Sequence, residues 1–86
     1  MKLVQSKDYF IEAIEGEWLL FKPRAQKAIY LDESASIIWQ MCDGSRSADE
    51  LAQEIASNYG DEKDTVIADV HATLAVLQEH GALKGV

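Results

Sequence analysis

The chain has 86 residues, a length from which we expect one folded domain over residues 1–86 and no second one. Its composition, 48% apolar and 27% charged, is usual for a soluble globular protein. Fifteen acidic residues against eight basic ones give a net charge of −7, which opposes binding to the phosphates of a nucleic acid.

The sequence shows no membrane span and no N-terminal signal peptide. No apolar run approaches the roughly 18 residues that a membrane span needs, and the N-terminal residues have no apolar signal core with a small-residue cleavage site. The single cysteine, Cys42, agrees with a reducing compartment, because small secreted domains usually carry paired cysteines. We therefore expect a cytoplasmic protein without a membrane partner.

The N-terminal third of the chain is typical of β-strands. Apolar runs at 9–14 and 18–21 flank a turn at Gly16, and a third run at 27–31 follows a turn that begins at Pro23. Three strands joined by short turns predict an antiparallel meander, which needs another layer packed on one face to be stable.

From residue 32 the apolar period changes to about 3.6, which predicts three helices. Asp32 is expected to cap the first helix, and Asp43-Gly44 to end it. Ser47-Ala48-Asp49-Glu50 has the form of a capping box and starts the second helix, which is expected to end at Gly60.

The third helix is expected to have Asp61 or Asp64 as its cap and to end at Gly81, after which Ala82-Leu83 folds back over the edge of the core. The periodicity places these side chains toward the core: Ala35, Ile38, Trp39 and Cys42 on the first helix, Leu51, Ile55 and Tyr59 on the second, and Val66, Val70, Thr73, Leu74 and Leu77 on the third.

Strands followed by helices predict an α+β fold, with the helices on one face of the sheet. The first two helices, joined around Asp43–Arg46, resemble a helix-turn-helix, and the sheet takes the place of a wing. The predicted architecture is a winged helix-turn-helix, a three-stranded antiparallel sheet followed by three helices.

The sequence offers no catalytic or metal-binding constellation. His71 and His80 are nine residues apart and point to different sides of one helix, so we expect no metal site. Cys42 lies on the apolar stripe beside Trp39, which favours a buried structural thiol over a nucleophile. Phosphate-binding and hydrolase motifs are also missing, so we expect no enzyme activity and no cofactor.

A winged helix-turn-helix is often a DNA-binding fold, so a transcriptional regulator is the alternative function. A recognition helix usually presents basic and amide side chains to bases and phosphates. The predicted second helix has no basic residue and carries Asp49, Glu50 and Glu54. The charges therefore disfavour this alternative.

The third predicted strand, 27–31, suggests a different kind of site. If the meander is ordered one-two-three, this strand lies at a sheet edge with unpaired N–H and C=O groups. Lys27 is its only charged residue, so little protects the edge from pairing. Two interpretations are open: the C-terminal tail of the chain itself covers the edge, or another chain adds to the edge as a strand.

The ordered set of motifs resembles the PqqD-like proteins, the precursor-peptide recognition elements of pathways that modify ribosomally made peptides. The matching segments span roughly residues 9–84. They are Leu31-Asp32-Glu33-Ser34-Ala35-Ser36-Ile37-Ile38-Trp39, Asp43-Gly44-Ser45-Arg46-Ser47, Glu50-Leu51-Ala52, Tyr59, Asp69-Val70, Leu74, Leu77 and Gly81-Ala82-Leu83.

The resemblance implies a non-catalytic module without a cofactor, which binds the leader of a precursor peptide and presents it to a modifying enzyme such as a radical SAM enzyme or a protease/cyclase. It further implies that the leader adds as a strand in the groove between the third strand and the third helix. The residues that this assigns to peptide binding are Lys27, Ala28, Ile29, Tyr30 and Leu31, with Val70, Thr73 and Leu77 on the opposite wall.

The resemblance leaves the pathway open. The family often has Gly-Arg in the turn before the third strand, where this chain has Gln26-Lys27. The modified product is therefore a redox cofactor, a lasso-type peptide or another peptide.

Overall fold

The computed structural model describes all residues, 1–86, as six strands and three α-helices in two small sheets and a helical layer. In chain order the elements are β1 (Lys2–Gln5), β2 (Phe10–Ile14), β3 (Glu17–Lys22), β4 (Lys27–Leu31), α1 (Glu33–Met41), β5 (Asp43–Ser47), α2 (Ala48–Ala56), α3 (Lys63–Glu79) and β6 (Leu83–Gly85). Short 3₁₀ turns at Pro23–Ala25 and Gly60–Glu62 precede β4 and α3.

The predicted meander is present as the antiparallel sheet β2-β3-β4. Glu15 and Gly16 form a two-residue turn between β2 and β3, with φ of 49° and 83°. Both residues need positive φ in this type of hairpin turn, and glycine adopts it without strain. The α+β winged helix-turn-helix architecture expected from the sequence is confirmed.

A second antiparallel sheet, ordered β5-β1-β6, was not expected from the sequence. The segment Asp43–Arg46, predicted as the turn between two helices, is extended and belongs to β5, which pairs with β1. Ala82 and Leu83 fold back as expected and are buried, and Leu83 starts the strand that pairs on the other side of β1. This sheet joins the two ends of the chain and brings Leu3 into the core.

The core lies between the helices and the inner faces of the two sheets. Its fully buried aliphatic side chains come from every layer: Leu3, Leu20, Leu51, Leu74 and Leu77. Trp39 is also buried, and its indole N–H donates a hydrogen bond to the Ala82 carbonyl at 3.0 Å. The prediction that Trp39 and Cys42 are core residues is confirmed.

The helix starts follow the predicted caps in two of three cases. Asp32 Oδ1 accepts a hydrogen bond from the Ala35 amide at 2.7 Å, and Ser47 and Glu50 form the reciprocal bonds of a capping box. The third cap is wrong, since Glu62 occupies that position and makes no side-chain cap bond. The preceding 3₁₀ turn is continuous with α3 and replaces a capped start.

The second helix is shorter than expected. It ends at Ala56 with Ser57 as its cap, so Gly60 lies in the following 3₁₀ turn. Tyr59 is consequently outside the helix and 52% exposed, and the prediction that it faces the core is wrong.

None of the three helices has the length and apolar character of a membrane span.

Candidate functional site

Strand β4 lies at the edge of its sheet and is paired on one side only, with β3. Ile29 and Leu31 are half-buried and pack against the core, whereas Ala28 and Tyr30 point to the outer face, with Tyr30 74% exposed. Successive side chains of a strand point to opposite faces, so Ile29 and Leu31 are the residues that face the helices.

The register identifies which backbone groups of β4 are open. A two-residue hairpin turn is closed by a hydrogen-bonded pair, here Ile14 with Glu17, and such pairs alternate along antiparallel strands. The residues of β3 that lie between those bonded to β2 therefore direct their N–H and C=O groups toward β4. The hydrogen-bonded β3–β4 pairs are Trp18–Leu31, Leu20–Ile29 and Lys22–Lys27. The N–H and C=O groups of Ala28 and Tyr30 therefore point to the open edge.

An apolar groove of about 570 Å³ lies among the helices; none of residues 27–31 lines it, and it meets the end of β4 only at Asp32, the residue after the strand. It runs between α1, the C-terminal end of α2, and α3. Its lining residues are Asp32, Ser34, Ile37, Ile38, Ile55, Tyr59, Val66, Asp69, Val70, Ala72 and Thr73. Seven of the eleven are hydrophobic, as in sites that bind apolar side chains. The carboxylates of Asp32 and Asp69 add negative charge, which favours a cationic group in the groove.

The residues expected on the opposite wall occupy different depths. Val70 and Thr73 line this groove, while Leu77 is 1% exposed, belongs to the core and does not line it. At the other end of β4, Lys27 Nζ donates a hydrogen bond to the His80 carbonyl at 3.2 Å. The N-terminal end of β4 therefore meets the C-terminal end of α3.

Nine of the eleven groove residues were not among the predicted site residues, and one of the nine, Ile37, carries a visible signal in the sequence. Ile37 belongs to the run Ile37-Ile38-Trp39, and successive helical residues are about 100° apart, so three in a row cannot all face one core. Ile37 is in fact 49% exposed and lies at the mouth of the groove. Tyr59 was assigned to the core because the end of α2 was placed too late.

The titratable side chains form no reactive constellation. Cys42 Sγ donates to the Ile38 carbonyl, and burial, followed by the charge of Asp43 and opposed by Arg46, raises the pKa of its thiol to about 11. His71 Nε2 lies 3.1 Å from Asp49 Oδ1. No three potential ligands cluster as a metal site would require.

A winged helix-turn-helix that leaves one strand edge open beside an apolar groove belongs to the class of small binding domains. The family model described as coenzyme PQQ synthesis protein D (PqqD) matches residues 17–83. The chain therefore belongs to the PqqD family, and the resemblance seen in its sequence is confirmed.

Individual relatives agree with this assignment. The chain is 34% identical over 68 residues to the PqqA binding protein of Xanthomonas oryzae pv. oryzae, an alignment that covers 79% of this chain and 72% of the relative. It is 29% identical over 66 residues to the PqqA binding protein of Bradyrhizobium diazoefficiens, covering 77% and 62% of the two chains.

Two solved structures share the fold along nearly the whole chain. TbiB1 in complex with the TbiA(beta) leader peptide has a TM-score of 0.73 and 24% identity, and the match covers 100% of this chain and 98% of that one. Lasso peptide synthetase B1, complexed with the leader peptide, has a TM-score of 0.77 and 20% identity, with coverages of 98% and 99%. At these identities the likeness establishes the fold.

Proposed function

We propose that this protein, acting as one domain over residues 1–86, is a non-catalytic module that binds the leader of a ribosomally made precursor peptide. It presents the bound peptide to a modifying enzyme, such as a radical SAM enzyme or a protease/cyclase. The relatives named as binding PqqA, and the two like-folded proteins described with leader peptides, support this class of ligand.

The observation that carries the proposal is the open edge of β4 beside the apolar groove. The leader pairs with the free backbone groups of Ala28 and Tyr30 and continues the sheet by one strand. Backbone pairing supplies affinity with little demand on sequence, and side-chain pockets supply selectivity. Ile29 and Leu31 lie on the inner face of this strand, and Val70 and Thr73 on the groove wall, so these four contact the leader's inward side chains.

Leu77, which was expected on the same wall, is fully buried in the core, so its side chain is not exposed to the leader. The exposed apolar residues Ile37 and Tyr59 flank the mouth of the groove, with Val66 between the helices. An apolar side chain of the leader that leaves β4 beyond Leu31 enters this space. Burial of one such side chain contributes about 1.5–3 kcal/mol, enough to anchor a peptide that otherwise binds through its backbone.

Amide chemical-shift mapping tests the proposal directly, with the leader encoded by a short open reading frame beside this gene as the probe. We expect the strongest shifts at residues 27–31 and on the groove side of α3. Strong shifts on β2 or on the outer face of α2, with 27–31 unchanged, contradict strand addition.

A pair of proline variants separates the open edge from the paired edge. Ala28→Pro removes an N–H that faces the open edge, so we expect an intact fold and sharply weaker leader binding. Ile29→Pro removes an N–H that the register directs toward β3, so it weakens the sheet itself. Isothermal titration and thermal melting of both variants are the measurements. Unchanged leader affinity in a folded Ala28→Pro variant contradicts the proposed pairing.

A further inference from the structure

Four basic side chains gather at the end of the β2-β3-β4 sheet where β3 passes into β4. They are Lys7, Lys22, Arg24 and Lys27, half of the eight Lys and Arg residues of a chain whose net charge is −7. The only ion pairs in the structure involve Arg46 and His71, so none of the four has a carboxylate within 4.0 Å. Lys2, Lys63 and Lys84 are unpaired as well, and what distinguishes the four is that they line two adjoining cavities at one end of the sheet.

Two of these cations oppose each other within the sheet. Lys22 and Lys27 are directly paired across β3 and β4, an arrangement in which like charges destabilise a sheet. Internal contacts relieve them in part. Lys27 Nζ donates to the His80 carbonyl at 3.2 Å, and Lys22 Nζ lies 5.9 Å from the centre of the Tyr9 ring. Both contacts are with uncharged groups, so the net positive charge remains.

The basic end is continuous with the open strand edge. A cavity of about 640 Å³ is lined by Lys7, Lys22 and Arg24, with Asp8 as its one carboxylate. A second cavity, of about 320 Å³, shares Lys22 with the first and extends past Lys27 to Ala28, with Glu12 as its one carboxylate. A peptide paired with Ala28 therefore leads directly into this space.

The opposite end of β4 is acidic. A cavity of about 600 Å³ at Tyr30 and Leu31 is also lined by Glu17, Asp32 and Glu33. The strand edge thus runs from a positive end at Lys27 to a negative end at Asp32. A peptide lying along it experiences opposite potentials at its two ends, which fixes its direction.

We infer that the basic end is a subsite for carboxylates that follow the strand-forming segment of the bound precursor peptide. Both sheets of the protein are antiparallel, and antiparallel pairing is the more stable kind, so the added strand runs opposite to β4. The C-terminal end of the peptide strand then lies beside Lys27. As the peptide continues across the end of the sheet, its Asp or Glu residues meet Lys22 and Arg24 first and Lys7 at the far side, next to β2. This inference rests on the proposed strand addition.

Selection from a random peptide library displayed on messenger RNA tests the subsite without knowledge of the natural precursor. We expect the enriched peptides to contain a segment of alternating apolar residues, followed on its C-terminal side by Asp or Glu. Apolar alternation without acidic residues, or with them on the N-terminal side only, overturns this inference and leaves the proposed function standing. If no peptide is enriched, the proposed function fails and this inference fails with it.

Charge-reversal variants then measure the subsite with one enriched peptide and fluorescence anisotropy. Lys7→Glu and Arg24→Glu lie outside β4 and leave the strand edge intact. We expect each to weaken binding about fivefold at low salt, with the difference shrinking as salt is added. Lys84→Glu makes the same change of charge on the other sheet and is the matched control. Equal weakening by the control, or none by the first two in folded protein, overturns the subsite.

Discussion

Trp39 connects helix α1 to the segment that leads into β6. Its indole ring is buried among the core side chains, and its N–H bonds to Ala82 next to the start of β6. Trp39→Ala should destabilise the protein by about 3–5 kcal/mol, a large fraction of the stability of a domain this small. Chemical denaturation gives the measurement. Trp39→Phe keeps most of the buried volume and should cost less, and an unchanged midpoint in Trp39→Ala contradicts the core assignment.

The buried thiol of Cys42 predicts that the stability of the protein falls at alkaline pH. Burial raises the pKa of its thiol from 9.0 to about 11, so between these values the unfolded chain has lost the proton while the folded chain keeps it. Since the folded state binds more protons in this window, stability falls as the pH rises above about 9. The loss attributable to this thiol is on the order of 2 kcal/mol by pH 11.

Cys42→Ala separates this effect from the titration of lysines and tyrosines in the same pH range. The variant lacks the thiol, so its free energy of unfolding should fall less steeply above pH 9 than that of the unmodified protein. Parallel alkaline slopes for the two proteins contradict a buried neutral thiol.

At the scale of the secondary-structure element, the start of α2 depends on two reciprocal hydrogen bonds. The Glu50 amide donates to Ser47 Oγ at 3.1 Å, and the Ser47 amide donates to the Glu50 carboxylate at 2.9 Å, which lowers the pKa of that carboxyl group. Ser47→Ala should cost about 1 kcal/mol in the free energy of unfolding. Ser57→Ala, at the other end of α2, removes only an exposed bond to the Glu54 carbonyl and is the control. Equal effects of both substitutions contradict the capping role.

Strand β4 shows how an element acquires a function from its position. Its five residues are ordinary for a strand, but no other strand pairs with the side opposite β3. The C-terminal segment, which was the alternative cover, instead pairs with β1 in the second sheet. The edge is therefore left open beside the groove.

At the scale of the whole molecule, the charge distribution argues against DNA binding by this winged helix-turn-helix. The net charge is −7, and Arg46, the last basic residue before α2 along the chain, is already paired with Glu54 at 2.7 Å. We expect no DNA complex in a gel-shift assay at physiological salt with protein up to about 10⁻⁴ M, the upper range of non-specific binding. A tight and sequence-selective complex contradicts this expectation and the proposed function together.

The sequence by itself determined the features that depend on near neighbours along the chain. The hairpin turn at Gly16, the cap at Asp32 and the capping box at Ser47 involve residues within a few positions of one another. The apolar stripes similarly assigned Trp39 and Leu74 to the core. Such interactions leave a local pattern, and the order of three meander strands and three helices followed from them.

Only the tertiary structure decided the features that join distant segments. In the β5-β1-β6 sheet, the N-terminal strand β1 pairs with residues 43–47 on one side and with the C-terminal strand β6 on the other, and no turn motif signals such pairing. The packing of the helices decides which face of β4 is buried, and it also decides that Leu77 is buried and Ile37 exposed. A strand pattern of period 2 gives two faces, but which of them is buried is set by the layer that packs against it.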